Sequence, residues 1–304
     1  MKFKIKTSKP KILYNPKCQL GEGIVWLKET GQILFVDIDK KKIFLFNIKT
    51  KKKNIISVNK KIGFVLPIKK NIFVLGLKNE LRIQNLKTKK ILKSIFIEKN
   101  KKSSRINDGT IDPVGNLWFG TMDDTYKKRK IGSLYCLNKK LNLKKIDNNY
   151  ITPNGPIFID KFNFYHTDSS KKIIYKIKIN KSLKILNKSI FKKFLIEDGS
   201  PDGMTLDKDL NLWITHFRGA KISVLDKKGK LVHIVKMPVK NVTNCTFGGK
   251  NNSQIFVTSA RKSLNISELK KYRFSGSLFS IKTNMKGLIQ NKFILENAEK
   301  RSLL

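Results

Sequence analysis

Apolar and polar residues alternate along this chain in short segments separated by turns. The stretch Asp198–Lys230 shows the pattern in full: Met204–Leu206 alternates, Leu212–Thr215 is an apolar run, and Lys221–Leu225 alternates again. Asn, Asp, Gly and Lys, the residues of turns, separate these segments. Alternation with a period of two, and short apolar runs between turns, are typical of β-strands. The stretch therefore predicts three strands of one antiparallel sheet.

The apolar run of this stretch has counterparts along the whole chain. Six runs begin at intervals of roughly 40 to 50 positions: Ile33–Val36, Ile72–Leu75, Leu117–Gly120, Phe164–Thr167, Leu212–Thr215 and Ile255–Thr258. Each is followed by another alternating segment, so each repeat holds three or four strands. The repeats predict an all-β fold, a six-bladed β-propeller that forms a single domain over residues 1–304. Residues 1–14 precede the first repeat and are a candidate to close the last blade.

Composition narrows the class of protein. Hydrophobic residues make up 40% of the chain and aromatic residues 10%, which favours a folded core over disorder. No apolar run approaches the roughly 18 residues of a membrane span, and the first twenty residues lack a signal-peptide core. Cys18, Cys136 and Cys245 have no metal-site or redox spacing, so free thiols in a reducing compartment are expected. We expect a soluble cytoplasmic protein with no membrane partner.

The formal net charge of +43 is the one feature that suggests a nucleic-acid partner. The lysines are spread through every turn instead of forming a patch, and Lys dominates where a base-reading interface would favour Arg. The sequence therefore favours lysines at permissive surface positions over a nucleic-acid interface. A salt-sensitive affinity for DNA would reverse that interpretation.

Oxygen-bearing side chains recur at one position of the repeat. In five of the six repeats such a residue lies about ten positions before the apolar run: Glu22, Asn107, Asn154, Asp202 and Asn244. Corresponding residues of the inner strands of a propeller face one channel, and carboxylate and carboxamide oxygens are the ligands of hard cations. Asn, Asp and Gly are also common turn residues, so any one of these positions alone favours a turn. Their common offset favours a metal site.

Arg105 stands two residues before Asn107, so a strand would place both side chains on one face. Beside a cation, an arginine there would suit a substrate with hydroxyl or carboxylate oxygens. The alternative is an arginine at the rim that pairs with an acid such as Asp108.

The motifs around these positions occur in a fixed order over nearly the whole chain. They are Leu20–Gly23 with Trp26, Arg105–Gly109 with Gly120–Asp123, Thr152–Gly155 with Thr167–Ser169, Pro201–Met204 with Asn211–Trp213, and Thr246–Gly249 with Val257–Ala260. In this order they resemble the gluconolactonase and regucalcin-like (senescence marker protein) family of sugar lactonases, which are six-bladed propellers.

The resemblance implies one divalent metal ion held by Glu22, Asn154 and Asp202, with Arg105 and Asn107 contacting a sugar lactone. Family members of the animal type carry an acid after the Gly-Thr-Met segment that contacts the substrate. In this chain Asp123 and Asp124 are the candidates for that contact. Oxygen ligands admit Ca²⁺, Mg²⁺, Mn²⁺ or Zn²⁺.

The expected function is metal-dependent hydrolysis of aldonolactones to the free acids. A cation with open positions polarises the lactone carbonyl or activates water. Asp202, in its stiff Pro-Asp-Gly turn, is the candidate general base. The expected partner is a small sugar lactone, and the expected state is a monomer or weak oligomer. The alternative is a propeller that binds a metal ion or a sugar acid without turning it over.

Overall fold

The computed structural model describes residues 4–125 and 127–297. Within them the chain forms six four-stranded sheets and one short helix. The strands are β1 (Lys11–Tyr14), β2 (Gly21–Leu27), β3 (Gln32–Asp37), β4 (Lys42–Asn47), β5 (Lys53–Ser57), β6 (Ile62–Lys69), β7 (Ile72–Leu77), β8 (Glu80–Asn85), β9 (Ile91–Phe96), β10 (Ser104–Ile111), β11 (Leu117–Asp123), β12 (Gly132–Leu137), β13 (Leu143–Tyr150), β14 (Pro153–Phe158), β15 (Asn163–Asp168), β16 (Ile173–Ile179), β17 (Ile185–Lys193), β18 (Ser200–Leu206), β19 (Leu212–Phe217), β20 (Lys221–Leu225), β21 (Leu231–Lys236), β22 (Asn241–Gly248), β23 (Gln254–Ala260) and β24 (Leu278–Lys282). The helix α1 spans Ile266–Lys271, and a 3-10 turn spans Ser169–Lys171.

Each sheet is built from consecutive strands. The first five sheets are β2–β5, β6–β9, β10–β13, β14–β17 and β18–β21, and the sixth combines β22, β23 and β24 with β1. Neighbouring strands run antiparallel, as in β2–β3–β4–β5. The six apolar runs of the repeat are the second strands of the six sheets. The predicted all-β, six-bladed fold class is therefore confirmed.

The chain divides into two compact units. One comprises residues 1–58 and 192–289 and contains the first, fifth and sixth sheets. The other comprises residues 59–191 and 290–304 and contains the second, third and fourth sheets. The single domain over residues 1–304 stays a prediction. In the amino-terminal segment, residues 1–3 lie outside the part that the structure describes. Within the described part, β1 pairs with β24.

Burial decreases from the first to the fourth strand of a sheet. Every residue of β22 is buried, and so is every residue of β6 except the last. The fourth strands β9 and β17 are more exposed, and they carry Lys93, Lys188, Lys192 and Lys193. Lysine on an outer strand discourages pairing with another chain, so these positions account for part of the high positive charge.

The core of each unit lies between neighbouring sheets. Trp118, Phe158 and Phe164 pack between the third and fourth sheets, with ring centroids 4.9 to 5.3 Å apart. Trp213 belongs to the cluster between the fifth and sixth sheets. The indole N–H of Trp118 donates to Asp112 at 2.9 Å, which satisfies the polar atom of a fully buried ring.

A β-bulge interrupts the first strand of every sheet near its beginning. The shifts of register fall between Glu22 and Val25, Ile62 and Phe64, Ile106 and Gly109, Asn154 and Ile157, Pro201 and Met204, and Val242 and Asn244. A bulge places an extra residue against its partner strand and re-aims the side chains beside it. All five polar residues of the repeated position lie within or at the edge of such a bulge.

The second repeat has the apolar residue Ile62 ten positions before its apolar run, and Gly63 follows it at the bulge. A Cβ atom on Gly63 would lie 1.8 Å from the carbonyl oxygen of Asn107. A side chain is therefore excluded because β6 approaches β10 too closely.

Candidate functional site

Three of the polar residues lie in the unit that contains the first, fifth and sixth sheets. Glu22, Asp202 and Asn244 are buried on β2, β18 and β22. The Asn244 Nδ2 atom donates to Glu22 Oε2 at 3.2 Å, and its Oδ1 atom accepts from the Cys245 amide at 2.9 Å. These bonds fix which end of the carboxamide faces the carboxylate. The Gly23 amide also donates to Glu22 Oε2, at 3.2 Å, so Asn244 and Gly23 together orient the carboxylate.

Gly203, which follows Asp202, is required by packing. A Cβ atom at this position would lie 2.2 to 2.6 Å from the carboxamide atoms of Asn244. Thr215 supports the same bulge by donating its hydroxyl proton to the carbonyl oxygen of Gly203 at 2.8 Å. The Pro-Asp-Gly segment is therefore part of an inner strand that packs directly against the next one.

The other two polar residues form a directed network in the second unit. Arg105 Nη1 donates to Asn107 Oδ1 at 2.7 Å, and Asn107 Nδ2 donates to Asn154 Oδ1 at 3.1 Å. Asn154 Nδ2 then donates to the hydroxyl of Ser169 at 2.7 Å. A carboxamide oxygen has two lone pairs, so each of the two oxygens can accept or coordinate once more. The network holds these buried amides in one orientation.

The two candidate acids after the Gly-Thr-Met segment have different partners. Arg129 donates to both oxygens of Asp123, at 2.7 and 3.0 Å, and these hydrogen bonds hold the pKa of Asp123 well below its usual range. Asp124 accepts from Lys61 Nζ at 2.7 Å and lies 3.4 Å from Arg105 Nε. Asp124 is thus the acid that lies beside Arg105. A substrate contact by either acid stays a prediction.

Asp108 has a position that the sequence did not reveal. The alternative that it pairs with Arg105 is corrected, because Asp124 is the acid beside that guanidinium. The two oxygens of Asp108 accept instead from the amides of Gly109 and Gly155, both at 2.8 Å. Asp108 thereby connects β10 to β14, and Gly155 directly follows the candidate ligand Asn154.

One signal in the sequence could have identified Asp108. The residue after the repeated polar position is glycine in three repeats, Gly23, Gly155 and Gly203, and an acid only at Asp108. A carboxylate at a position that otherwise tolerates only a small residue needs its own hydrogen-bond donors. Burial raises the pKa of Asp108 to about 6 in spite of the two backbone hydrogen bonds.

We expect Asp108→Asn to remove a pH dependence of stability. Because its pKa is raised, the Asp108 carboxyl is protonated in the folded state and ionised in the unfolded state between about pH 4 and pH 6. The wild type should therefore lose about 2 kcal/mol of unfolding free energy, relative to the variant, between pH 4 and pH 7. Urea denaturation of both proteins at several pH values measures this difference. A constant difference across the range would contradict the placement of Asp108.

Comparison with known proteins agrees with the architecture. The six four-stranded sheets and their inner bulges define a six-bladed β-propeller. Residues 20–261 match the family described as the SMP-30/Gluconolactonase/LRE-like region, and the chain belongs to that family. Regucalcin from Oryctolagus cuniculus is 31% identical over 271 residues, which cover 87% of this chain and 91% of that protein.

Solved structures show the same fold over nearly the whole chain. A luciferin-regenerating enzyme superimposes with a TM-score of 0.86 at 30% identity, covering 94% of this chain and all of that one. A calcium-binding protein, regucalcin, from Agrobacterium tumefaciens superimposes with a TM-score of 0.88 at 20% identity, covering 95% and 98%. In the described ranges, no helix has the length and apolar character needed to cross a membrane.

Proposed function

We propose that this protein hydrolyses sugar lactones with the help of one divalent cation held by Glu22, Asn154 and Asp202. The observation that carries the proposal is the shared position of these residues, each at the bulge of an inner strand. Membership of the SMP-30/gluconolactonase family supports the same reaction class. The cation, the residue roles and the lactone itself all belong to this proposal.

The donor chemistry fits a hard cation. Two carboxylates and one carboxamide offer only oxygen, which suits Ca²⁺, Mg²⁺ and Mn²⁺ and is acceptable to Zn²⁺. Among residues 4–125 and 127–297, no group of three or more His, Cys, Asp and Glu side chains could hold a metal ion, so the amide is an essential part of the set. When bound, such an ion would supply Lewis acidity toward the lactone carbonyl.

The side chains of this protein have three tasks in the proposed reaction. Arg105 and Asn107 bind substrate oxygens, and the bond between them pre-sets their geometry. Asp202 takes a proton from water as the water oxygen bonds to the carbonyl carbon. The ring C–O bond then breaks, the ring oxygen receives that proton and becomes a hydroxyl group, and the new carboxylic acid releases its proton to solvent. Asn154 is held by Asn107 and Ser169, so its oxygen keeps its place during turnover.

The test is acid release from several aldonolactones, followed with a pH indicator. We expect saturable turnover that chelator abolishes and that one divalent cation restores. Acid release that is unaffected by chelator would contradict a role for a cation. Saturable binding of a metal ion or sugar acid without acid release would favour the binding protein over the enzyme.

A further inference from the structure

The strongest feature outside the proposed metal site is a cluster of charges around Asp124. Lys61 Nζ lies 2.7 Å from its carboxylate, Arg105 Nε 3.4 Å and Lys78 Nζ 3.8 Å. One carboxylate thus faces three cations. The side chain of Arg105 is only 2% exposed, whereas those of Lys61 and Lys78 are 27% and 40% exposed.

Backbone structure places this cluster at one end of two neighbouring sheets. Lys61 directly precedes β6 and Lys78 follows β7, and their backbones are hydrogen-bonded, Lys78 N to Lys61 O, at 2.8 Å. The amide of Asp124, just after β11, donates to the carbonyl oxygen of Ser103, just before β10. Asn107 lies near the beginning of β10, so it shares this end of the sheets with the cluster.

The cluster is connected to the proposed substrate site through Arg105. The same guanidinium that faces Asp124 donates to Asn107 Oδ1 at 2.7 Å. Asn107 in turn donates to Asn154. The chain of contacts therefore runs from two partly exposed lysines to the amides that we propose for substrate and cation.

Nearby acids do not neutralise the excess positive charge. Asp123 forms an ion pair with Arg129 and Glu98 forms one with Lys101. Glu80 forms ion pairs with Arg82 and Lys60. The loop after β11 adds three more exposed lysines, Lys127, Lys128 and Lys130. Lysines are common throughout this chain, but this group stands out because it surrounds a buried arginine of the site.

We propose that Lys61 and Lys78 select lactones that carry a negative charge, as a carboxylate or a phosphate group away from the ring carbonyl. The proposal rests on the proposed lactonase function and names its substrate class. A local excess of cations attracts anions and raises their rate of association, and the attraction decreases as salt increases. These lysines should not raise the rate of association of a neutral sugar lactone.

The test compares kcat/KM for D-glucono-1,5-lactone, D-glucaro-1,4-lactone and 6-phospho-D-glucono-1,5-lactone at low and high salt. We expect one or both anionic lactones to be preferred at low salt. The glucarolactone tests for recognition of a carboxylate, and the phosphogluconolactone tests for recognition of a phosphate group. Lys61→Gln and Lys78→Gln should each lower the ratio of anionic to neutral kcat/KM by about fivefold, the upper range for an exposed ion pair. Equal kcat/KM for neutral and anionic lactones in the wild type would overturn the proposal.

The matched control is the double variant Lys181→Gln/Lys184→Gln. Both lysines are exposed on the turn between β16 and β17, at the other end of the fourth sheet from Asn154. The control removes two charges and should leave the ratio unchanged. An equal drop in the control would mean that total charge, not this cluster, sets the preference, and would overturn the proposal.

A binding measurement separates this inference from the lactonase proposal. Titration calorimetry with D-glucarate, the ring-opened dianion, does not depend on turnover. If no lactone is hydrolysed, the proposed function fails, yet weaker D-glucarate binding in the Lys61→Gln and Lys78→Gln variants would still support the cluster as an anion site. Unchanged or undetectable binding would overturn it.

Discussion

Asp202→Asn is expected to reduce kcat for lactone hydrolysis by at least about a hundredfold, because it removes a ligand and the proposed proton acceptor together. Glu22→Gln should cause a loss of similar size by removing the other carboxylate of the set. Both substitutions keep the shape of the side chain, so the packing of Gly203 against Asn244 is preserved. Initial rates of acid release, with circular dichroism to verify the fold, measure the effect.

Matched controls make this prediction specific. Asp209→Asn is the same change at an exposed residue on the turn between β18 and β19. Glu29→Gln is the matched control for Glu22→Gln, because Glu29 is exposed on the turn between β2 and β3. Both controls should retain wild-type rates. Wild-type turnover in Asp202→Asn or Glu22→Gln would reject the assignment of these residues.

Glu80→Gln is expected to lower the free energy of unfolding by about 3 kcal/mol at pH 7. Glu80 and Arg82 lie two residues apart on β8, so their side chains share a face, with Nε to Oε1 at 2.8 Å. Lys60 and Ser94 also donate to Glu80, each at 2.7 Å. Burial by itself raises the pKa of Glu80, but these hydrogen bonds outweigh it and lower the pKa to about 2.

The sign of the pH dependence follows from the lowered pKa. The stabilisation by Glu80 is fully present above the pKa of about 4.5 in the unfolded chain, and is lost as the pH falls toward about 2. The difference between wild type and Glu80→Gln in urea denaturation should therefore shrink below about pH 4.5. Glu197→Gln, at an exposed residue, is the control and should match the wild type throughout. A difference below about 1 kcal/mol at pH 7 would show that the buried pair contributes little.

The sequence predicted the fold because the information that defines a blade is local. The apolar runs, such as Leu117–Gly120 and Leu212–Thr215, alternate with turns at a regular interval, and all six became second strands. The start of α1 is also defined locally, because Asn265 and Glu268, three residues apart, form its capping box. The common offset of the polar residues also located the inner strands correctly.

The partners of the site residues could not be predicted because they depend on register between strands that are distant in sequence. Asp108 accepts from Gly155, 47 positions away, and Lys61 reaches Asp124 over 63 positions. No spacing rule connects such pairs. The bulges that aim Glu22 and Asp202 are likewise visible only once β2 and β18 are paired with their neighbours. The cytoplasmic location, the monomeric or weakly oligomeric state and the lack of a nucleic-acid partner stay predictions.

The most direct test of the central claim is the location of a bound cation. Crystals grown with Mn²⁺ should give one anomalous peak within about 2.0 to 2.6 Å of side-chain oxygens of Glu22, Asn154 and Asp202. The peak should disappear in Asp202→Asn and persist in Asp209→Asn. A peak bound by other residues, or no peak at a Mn²⁺ concentration that supports hydrolysis, would contradict the proposed site.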